Sequence, residues 1–140
     1  MMEAVVRLDR NMRFIGINEL GLETVFDTHP ISGGEDTAPT PREIALQALG
    51  ACSLMDVASI IRKKRKEIID LKVFLKGEIG IEHPKVITKA HLIYELTSSD
   101  AEFGDLEKAV ESSQQTYCVV SAMFKRSGCD VTYESVLKRP

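Results

Sequence analysis

The chain reads as an α+β protein built around one long apolar helix. Three observations predict this. Short alternating or β-branched runs stand on both sides of a single helical stretch near residues 41–66. The order of elements is βββ-α-ββ-α-α-β, which lacks the regular strand–helix alternation of a doubly wound sheet. From Ile44 to Ile61, apolar or small residues occupy nearly every turn, so the helix needs cover on most of its circumference.

Residues 3–8 and 12–17 read as short strands, with Arg10-Asn11 as the turn between them, and Leu22 to Phe26 forms a third. The stretch 28–37 carries Pro30, Gly33, Gly34 and Asp36 and is a loop. Thr40 then supplies an N-cap, Pro41 takes the first helical position, and Glu43 completes a capping box. The helix is expected to run from about Pro41 to Lys66, roughly 39 Å at 1.5 Å per residue. Leu71–Ile79 and Lys85–Leu96 alternate as two paired strands, with Glu82-His83-Pro84 between them. Asp105 to Gln115 is a helix with Leu106, Ala109, Val110 and Ser113 on one face. A break near Thr116 precedes a short helix from Cys118 to Arg126, which Ser127-Gly128 ends, and Cys129 to Val136 is a last strand.

At 140 residues the chain is expected to be one domain over 1–140. The strands are unbalanced for a monomer, three at the front, two in the middle and one at the end. Together with the all-round apolar helix, they predict an intertwined homodimer in which strands of two chains complete shared sheets. A net charge of −3 offers no general attraction to nucleic acid or to an anionic membrane surface. The run Arg62-Lys63-Lys64-Arg65-Lys66 sits where cations complement a helix C-terminus, without interleaved aromatics, so no nucleic-acid partner is expected. Charges at the N-terminus replace the apolar run of a signal peptide, and Gln47, Ser53, Asp56 and Ser59 interrupt the best candidate for a membrane span. The expected location is therefore the cytoplasm, with no membrane partner. His29, His83 and His91 are scattered, so neither a metal nor an organic cofactor is expected.

The chemistry lies with the cysteines. Three thiols in a reducing compartment cannot all pair, which directs attention to catalytic or redox use. Cys52 is in the middle of the long helix, where apolar surroundings raise a thiol pKa, and by residue type alone it reads as a small hydrophobe. Cys118 starts a later helix, where free N–H groups favour a thiolate, with Thr116 or Ser113 as the local cap. Cys129 follows Ser127-Gly128 and reads as a bystander. Asp56, four residues after Cys52 on nearly the same face, must be paired if buried and would oppose ionisation of its neighbour. It reads as structural, a cap for another element.

The combination Pro41-x-Glu43-x5-Leu49-Gly50-Ala51-Cys52 with Asp56-Val57, followed by Ser113-x3-Tyr117-Cys118, resembles the OsmC/Ohr family of organic hydroperoxide reductases, and is most similar to its OsmC-like branch. The resemblance covers nearly the whole chain, and the two cysteine motifs are specific when found together. It implies an OsmC-like intertwined homodimer with active sites at the subunit interface. It also implies a thiol peroxidase cycle, in which Cys52 attacks the terminal oxygen of a small organic hydroperoxide and becomes a sulfenic acid. Cys118 then condenses with it to a disulfide, and a dithiol or a lipoylated-protein reductant restores both thiols. By the same resemblance Glu43 and an N-terminal arginine belong to the site. Arg13 ranks first for that arginine, ahead of Arg10 and of Arg42 from the partner.

Two features depart from the family pattern. Arg42, not a glutamate, directly follows Pro41, and the residues around Arg13 and Arg10 do not single out one of them. Helix geometry adds that Glu43 and Cys52, nine residues apart, lie on opposite faces and roughly 13 Å apart along the axis. Any help Glu43 gives must then reach the other subunit, and a plain capping-box role with Thr40 is compatible with that. A second reading therefore stands beside the antioxidant enzyme: a redox sensor or a module that binds a small apolar ligand, without efficient peroxidase activity.

Overall fold

The computed structural model describes residues 1–140 and is of the α+β class, with six strands in two three-stranded sheets and three α-helices. The chain folds into two compact units, Met1–Ala45 and Leu46–Pro140.

In the first unit, β1 (Ala4–Arg10), β2 (Arg13–Asn18) and β3 (Glu23–Phe26) form an antiparallel meander in the order β1-β2-β3. Leu8 faces Phe14, and Phe14 faces Phe26. The turn between β1 and β2 is made by Asn11 at φ 50°, a left-handed conformation that asparagine tolerates. Val5, Val6 and Leu8 remain largely exposed, so this sheet presents apolar surface outward. Asp27, directly after β3, is buried and accepts from the N–H groups of Thr28 and Thr37 and from the Thr37 hydroxyl. These bonds hold its carboxyl down at about 2, led by the Thr37 hydroxyl. Gly34 passes so close to the Thr28 carbonyl that a Cβ would sit 1.9 Å from its oxygen, which explains a glycine in that loop.

The helix α1 runs from Pro41 to Lys63, three residues short of the expected end. Arg65 adopts φ 58°, and the Lys66 N–H turns back to the Ile61 carbonyl, so the last part of the basic run leaves the helix through a left-handed turn. By length and composition α1 could cross a membrane, with a mean hydropathy of 1.8 over its most apolar stretch. Its buried stripe, Leu49, Gly50, Ser53, Val57 and Ile61, follows the 3–4 residue spacing of a core helix.

The second unit holds β4 (Asp70–Ile79), β5 (Ile87–Thr97) and β6 (Asp130–Lys138), with β5 in the middle. β4 pairs antiparallel with β5, and β6 lies parallel to it after the chain returns through α2 and α3. On β5 the residues Ala90, Leu92, Tyr94 and Leu96 are all fully buried, the period-2 pattern of a strand with one face in the core. α2 (Phe103–Ser112) buries Leu106, Ala109 and Val110, the apolar face expected from the sequence, and Ser113 just beyond it is also buried.

Residues 105–115 do not form one helix. The α-helix ends at Ser112, and Ser113–Tyr117 form a π-helical turn before α3 (Val119–Arg126). The wider turn brings Gln114 inward with Ser113, placing two consecutive polar residues in the interior.

Gly50 lets α1 approach β4. A Cβ there would meet Leu75 Cδ1 at 2.8 Å and Val73 Cγ1 at 3.0 Å. Gly50→Val is therefore expected to overpack this contact and cost about 1–3 kcal/mol, read as a lower midpoint in chemical denaturation. An unchanged midpoint would show that the two side chains yield freely.

Candidate active site

The site is assembled by α1 beyond Ala45, β5, the π-helical turn and the start of α3, all in the second unit. Cys52 is half-buried on α1, and Cys118 is only 4 % exposed. Both are free thiols, and their side chains are in hydrogen-bond contact. The two motif cysteines, 66 positions apart in the sequence, thus meet in the fold, while Cys129 lies in the hydrophobic core with its thiol toward the Asp130 carbonyl.

Neither Thr116 nor Ser113 caps α3. Cys118 itself is the N-cap, its sulfur accepting from the Ser121 N–H at 3.3 Å, and its own N–H donates to the Ser113 carbonyl at 2.8 Å. Nor does its place at a helix start make it readily ionised. Burial pushes the Cys118 thiol up to about 11, reinforced by contact with Cys52 and by the nearby Asp56 charge, and the Ser121 N–H offsets this only in part. The one N–H that reaches the sulfur, from Ser121, does not overcome desolvation.

Behind the thiols runs a buried chain of polar side chains that sequence periodicity does not anticipate. Ser113 Oγ donates to Asp56 Oδ2 at 2.8 Å. A carboxylate only accepts, and a hydroxyl has one proton, so the donor order of the whole chain follows. Ser53 Oγ donates to Ser113 Oγ at 2.8 Å, the Tyr94 hydroxyl donates to Ser53, and Gln114 Nε2 donates to Tyr94 Oη at 2.6 Å. Ser121 Oγ in turn donates to Gln114 Oε1 at 2.6 Å. Ser53, Tyr94, Ser113 and Ser121 are fully buried and Gln114 is nearly so. Burial raises the Tyr94 phenol above its ordinary range, so it serves as a neutral donor. The available signal is polar residues at positions whose periodicity assigns them to the core, above all Ser113, in line with the apolar face of α2 and just beyond its end.

Asp56 is half-buried and caps no helix. It ends this chain and lines a pocket of about 210 Å³ together with Ser59, Ile60, Lys63 and Tyr117. A wider groove of about 980 Å³ runs along another flank of α1, bordered by Ala51, Met55, Ala58 and Arg62.

The other two expected site residues belong to the first unit. Glu43 forms the capping box: Thr40 N–H donates to Glu43 Oε1 at 3.0 Å, and Glu43 N–H to Thr40 Oγ1 at 3.2 Å. Those bonds hold its carboxyl below the usual range. Arg13 is engaged by Asp9 at 3.0 Å and by the Thr37 hydroxyl at 2.7 Å, and Arg10 pairs with Glu35 at 3.4 Å.

Residues 33–134 match the family model described as OsmC-like protein. The chain belongs to the OsmC-like family. It is 33% identical to Protein YhfA of Escherichia coli K12 over 126 residues, covering 90% of this chain and 91% of that protein. A crystal structure of a protein from Aquifex aeolicus VF5 superposes with a TM-score of 0.81 at 32% identity, over 99% of this chain and 98% of that one. The same fold is found in an organic hydroperoxide resistance protein OsmC from Legionella pneumophila, with a TM-score of 0.66 at 16% identity over 99% and 96% of the two chains.

The high Cys118 value has a direct test. Its alkylation by a small reagent should accelerate about tenfold per pH unit up to roughly pH 10 without levelling, because only the thiolate reacts. A plateau below pH 9 would contradict the burial argument.

Proposed function

We propose that the protein is a thiol-dependent peroxidase that reduces organic hydroperoxides through Cys52 and Cys118. The observation that carries this reading is the contact between the two free thiols, one half-exposed and one buried behind it. Such a pair suits a two-step cycle. The Cys52 thiolate attacks the terminal peroxide oxygen, the O–O bond breaks, and the alkoxide leaves as an alcohol after taking a proton. The Cys118 sulfur then attacks the Cys52 sulfenic acid, forming the S–S bond and releasing water. An external dithiol, such as a lipoylated protein, reduces the disulfide by exchange. The cycle needs no metal or organic cofactor.

Apolar residues exposed on both faces of β1, Val6 and Leu8 on one and Val5 on the other, and the exposed Met55 on α1 support assembly as a homodimer. Arg13 is the favoured guanidinium for the Cys52 thiolate, ahead of Arg10 and of Arg42 from the partner chain. A cytoplasmic setting accords with three unpaired cysteines. The alternative, a redox sensor or a binder of a small apolar ligand, draws on Arg42 directly after Pro41 and on the commitment of Glu43 to its own helix cap.

The deciding assay is consumption of an organic hydroperoxide with a dithiol reductant. Wild type is expected to turn over, Cys52→Ser to lose all measurable activity, and the oxidised wild type to contain a Cys52–Cys118 disulfide by mass spectrometry. Wild-type consumption no faster than that of free cysteine would favour the sensor or binding reading. Light scattering at micromolar concentration is expected to give twice the chain mass of 15.6 kDa, and a folded monomer would remove the dimer.

A further inference from the structure

Asp56 is the least comfortable group near the thiols. It follows Cys52 by four residues, which puts their Cβ atoms about 5–6 Å apart on one helix face. Cys52 touches Cys118, and Ser113 links the two sides: its hydroxyl donates to the Asp56 carboxylate, while its carbonyl accepts the Cys118 N–H. A negative charge in this position opposes thiolate formation at Cys118. If the residue served only to end the hydroxyl chain, a neutral amide oxygen would accept the Ser113 proton equally well.

We propose that Asp56 is the proton acceptor for the step in which Cys118 closes on oxidised Cys52. The inference rests on the peroxidase reading for the origin of the sulfenic acid and goes beyond it in assigning the base. Cys118 is held as a thiol, so closure requires its proton to leave as the S–S bond forms. The Cys118 S–H electron pair becomes the new S–S bond, the Cys52 S–O bond breaks, and the proton passes to Asp56. The carboxyl then returns a proton to the departing hydroxide, which leaves as water, and Asp56 is restored.

The surrounding groups fit this use. Facing Asp56 are Cys52 and Lys63 from α1, Ser113 and Tyr117 from the π-helical turn, Cys118 from the start of α3, and Tyr94 of β5 through Ser53. The hydroxyls of Tyr94, Ser53 and Ser113 are oriented in series toward the carboxylate. The pocket it shares with Lys63 and Tyr117 gives a route for proton exchange with solvent.

The test separates closure from peroxide specificity. Excess hydrogen peroxide forces sulfenic acid formation at Cys52, and closure is followed by loss of dimedone trapping and gain of the disulfide. If the carboxylate takes the proton within the step, closure does not wait for prior ionisation of Cys118, so wild-type closure should hold one rate between about pH 6 and 8. Asp56→Asn keeps an acceptor for Ser113 but removes the base. Its closure at pH 7 should slow roughly 100-fold and climb about tenfold per pH unit, with sulfenic and sulfinic acid accumulating. Asp56→Glu should restore the flat profile. Wild-type closure that itself climbs tenfold per unit, or an Asp56→Asn rate equal to wild type, would overturn the assignment, and the wild-type profile decides even if a variant folds poorly. Slow consumption of organic hydroperoxide with a flat closure profile would instead remove the peroxidase reading and leave Asp56 as the base.

Discussion

Beneath the two thiols, Ser53, Tyr94 and Ser113 hand their hydroxyl protons along one direction, from the Gln114 amide to the Asp56 carboxylate. Each link joins elements distant in sequence: α1 to β5, β5 to the π-helical turn, and the turn back to α1. Buried polar groups of this kind are costly unless every one is matched, and here no buried side-chain polar atom lacks a partner. Because each hydroxyl has a single proton, moving any member would strand its neighbour. The chain therefore constrains the register between α1 and the Ser113–Tyr117 turn, and with it the position from which Cys118 meets Cys52.

The same chain passes through the break in the α2–α3 region. The π-helical turn carries Ser113 and Gln114, both buried, and Gln114 bridges Tyr94 on one side and Ser121 on the other. Ser121 completes the arrangement by donating its N–H to the Cys118 sulfur. The local irregularity thus carries polar groups of the interior, and it leads into α3 at the site.

Much of the architecture is legible in sequence because apolar periodicity reports burial. The buried alternation of β5, the apolar stripe of α2 and the Thr40–Glu43 capping box all follow from patterns visible in the residues. The pairing of Cys52 with Cys118 is legible through motifs, since local pattern alone does not specify a contact across 66 positions. What stays hidden depends on tertiary surroundings. The end of α1 falls short of the expected Lys66 because a left-handed Arg65 has no strong residue signature. The ionisation expected of Cys118 is reversed because its position at a helix start is visible in sequence but its burial is not. Periodicity places Ser113 in the core, but the links of the hydroxyl chain stay hidden because serine, tyrosine and glutamine carry no periodic signal of mutual contact.

The arrangement gives the two thiols different chemical characters. Cys52 has a face open to solvent, whereas Cys118 is enclosed and kept protonated by burial, by its neighbour and by Asp56. In the proposed cycle, a resolving thiol that stayed ionised at rest would compete for the oxidant and repel a thiolate at Cys52. Holding it as a thiol avoids both, at the cost of needing somewhere for the proton to go when the disulfide forms. The fold places a carboxylate one helical turn from Cys52, fixes it by a one-way set of donors, and opens it to a small pocket beside Lys63. The residue that looks least favourable to cysteine chemistry in the resting state is thus, in the proposed cycle, the one that completes it.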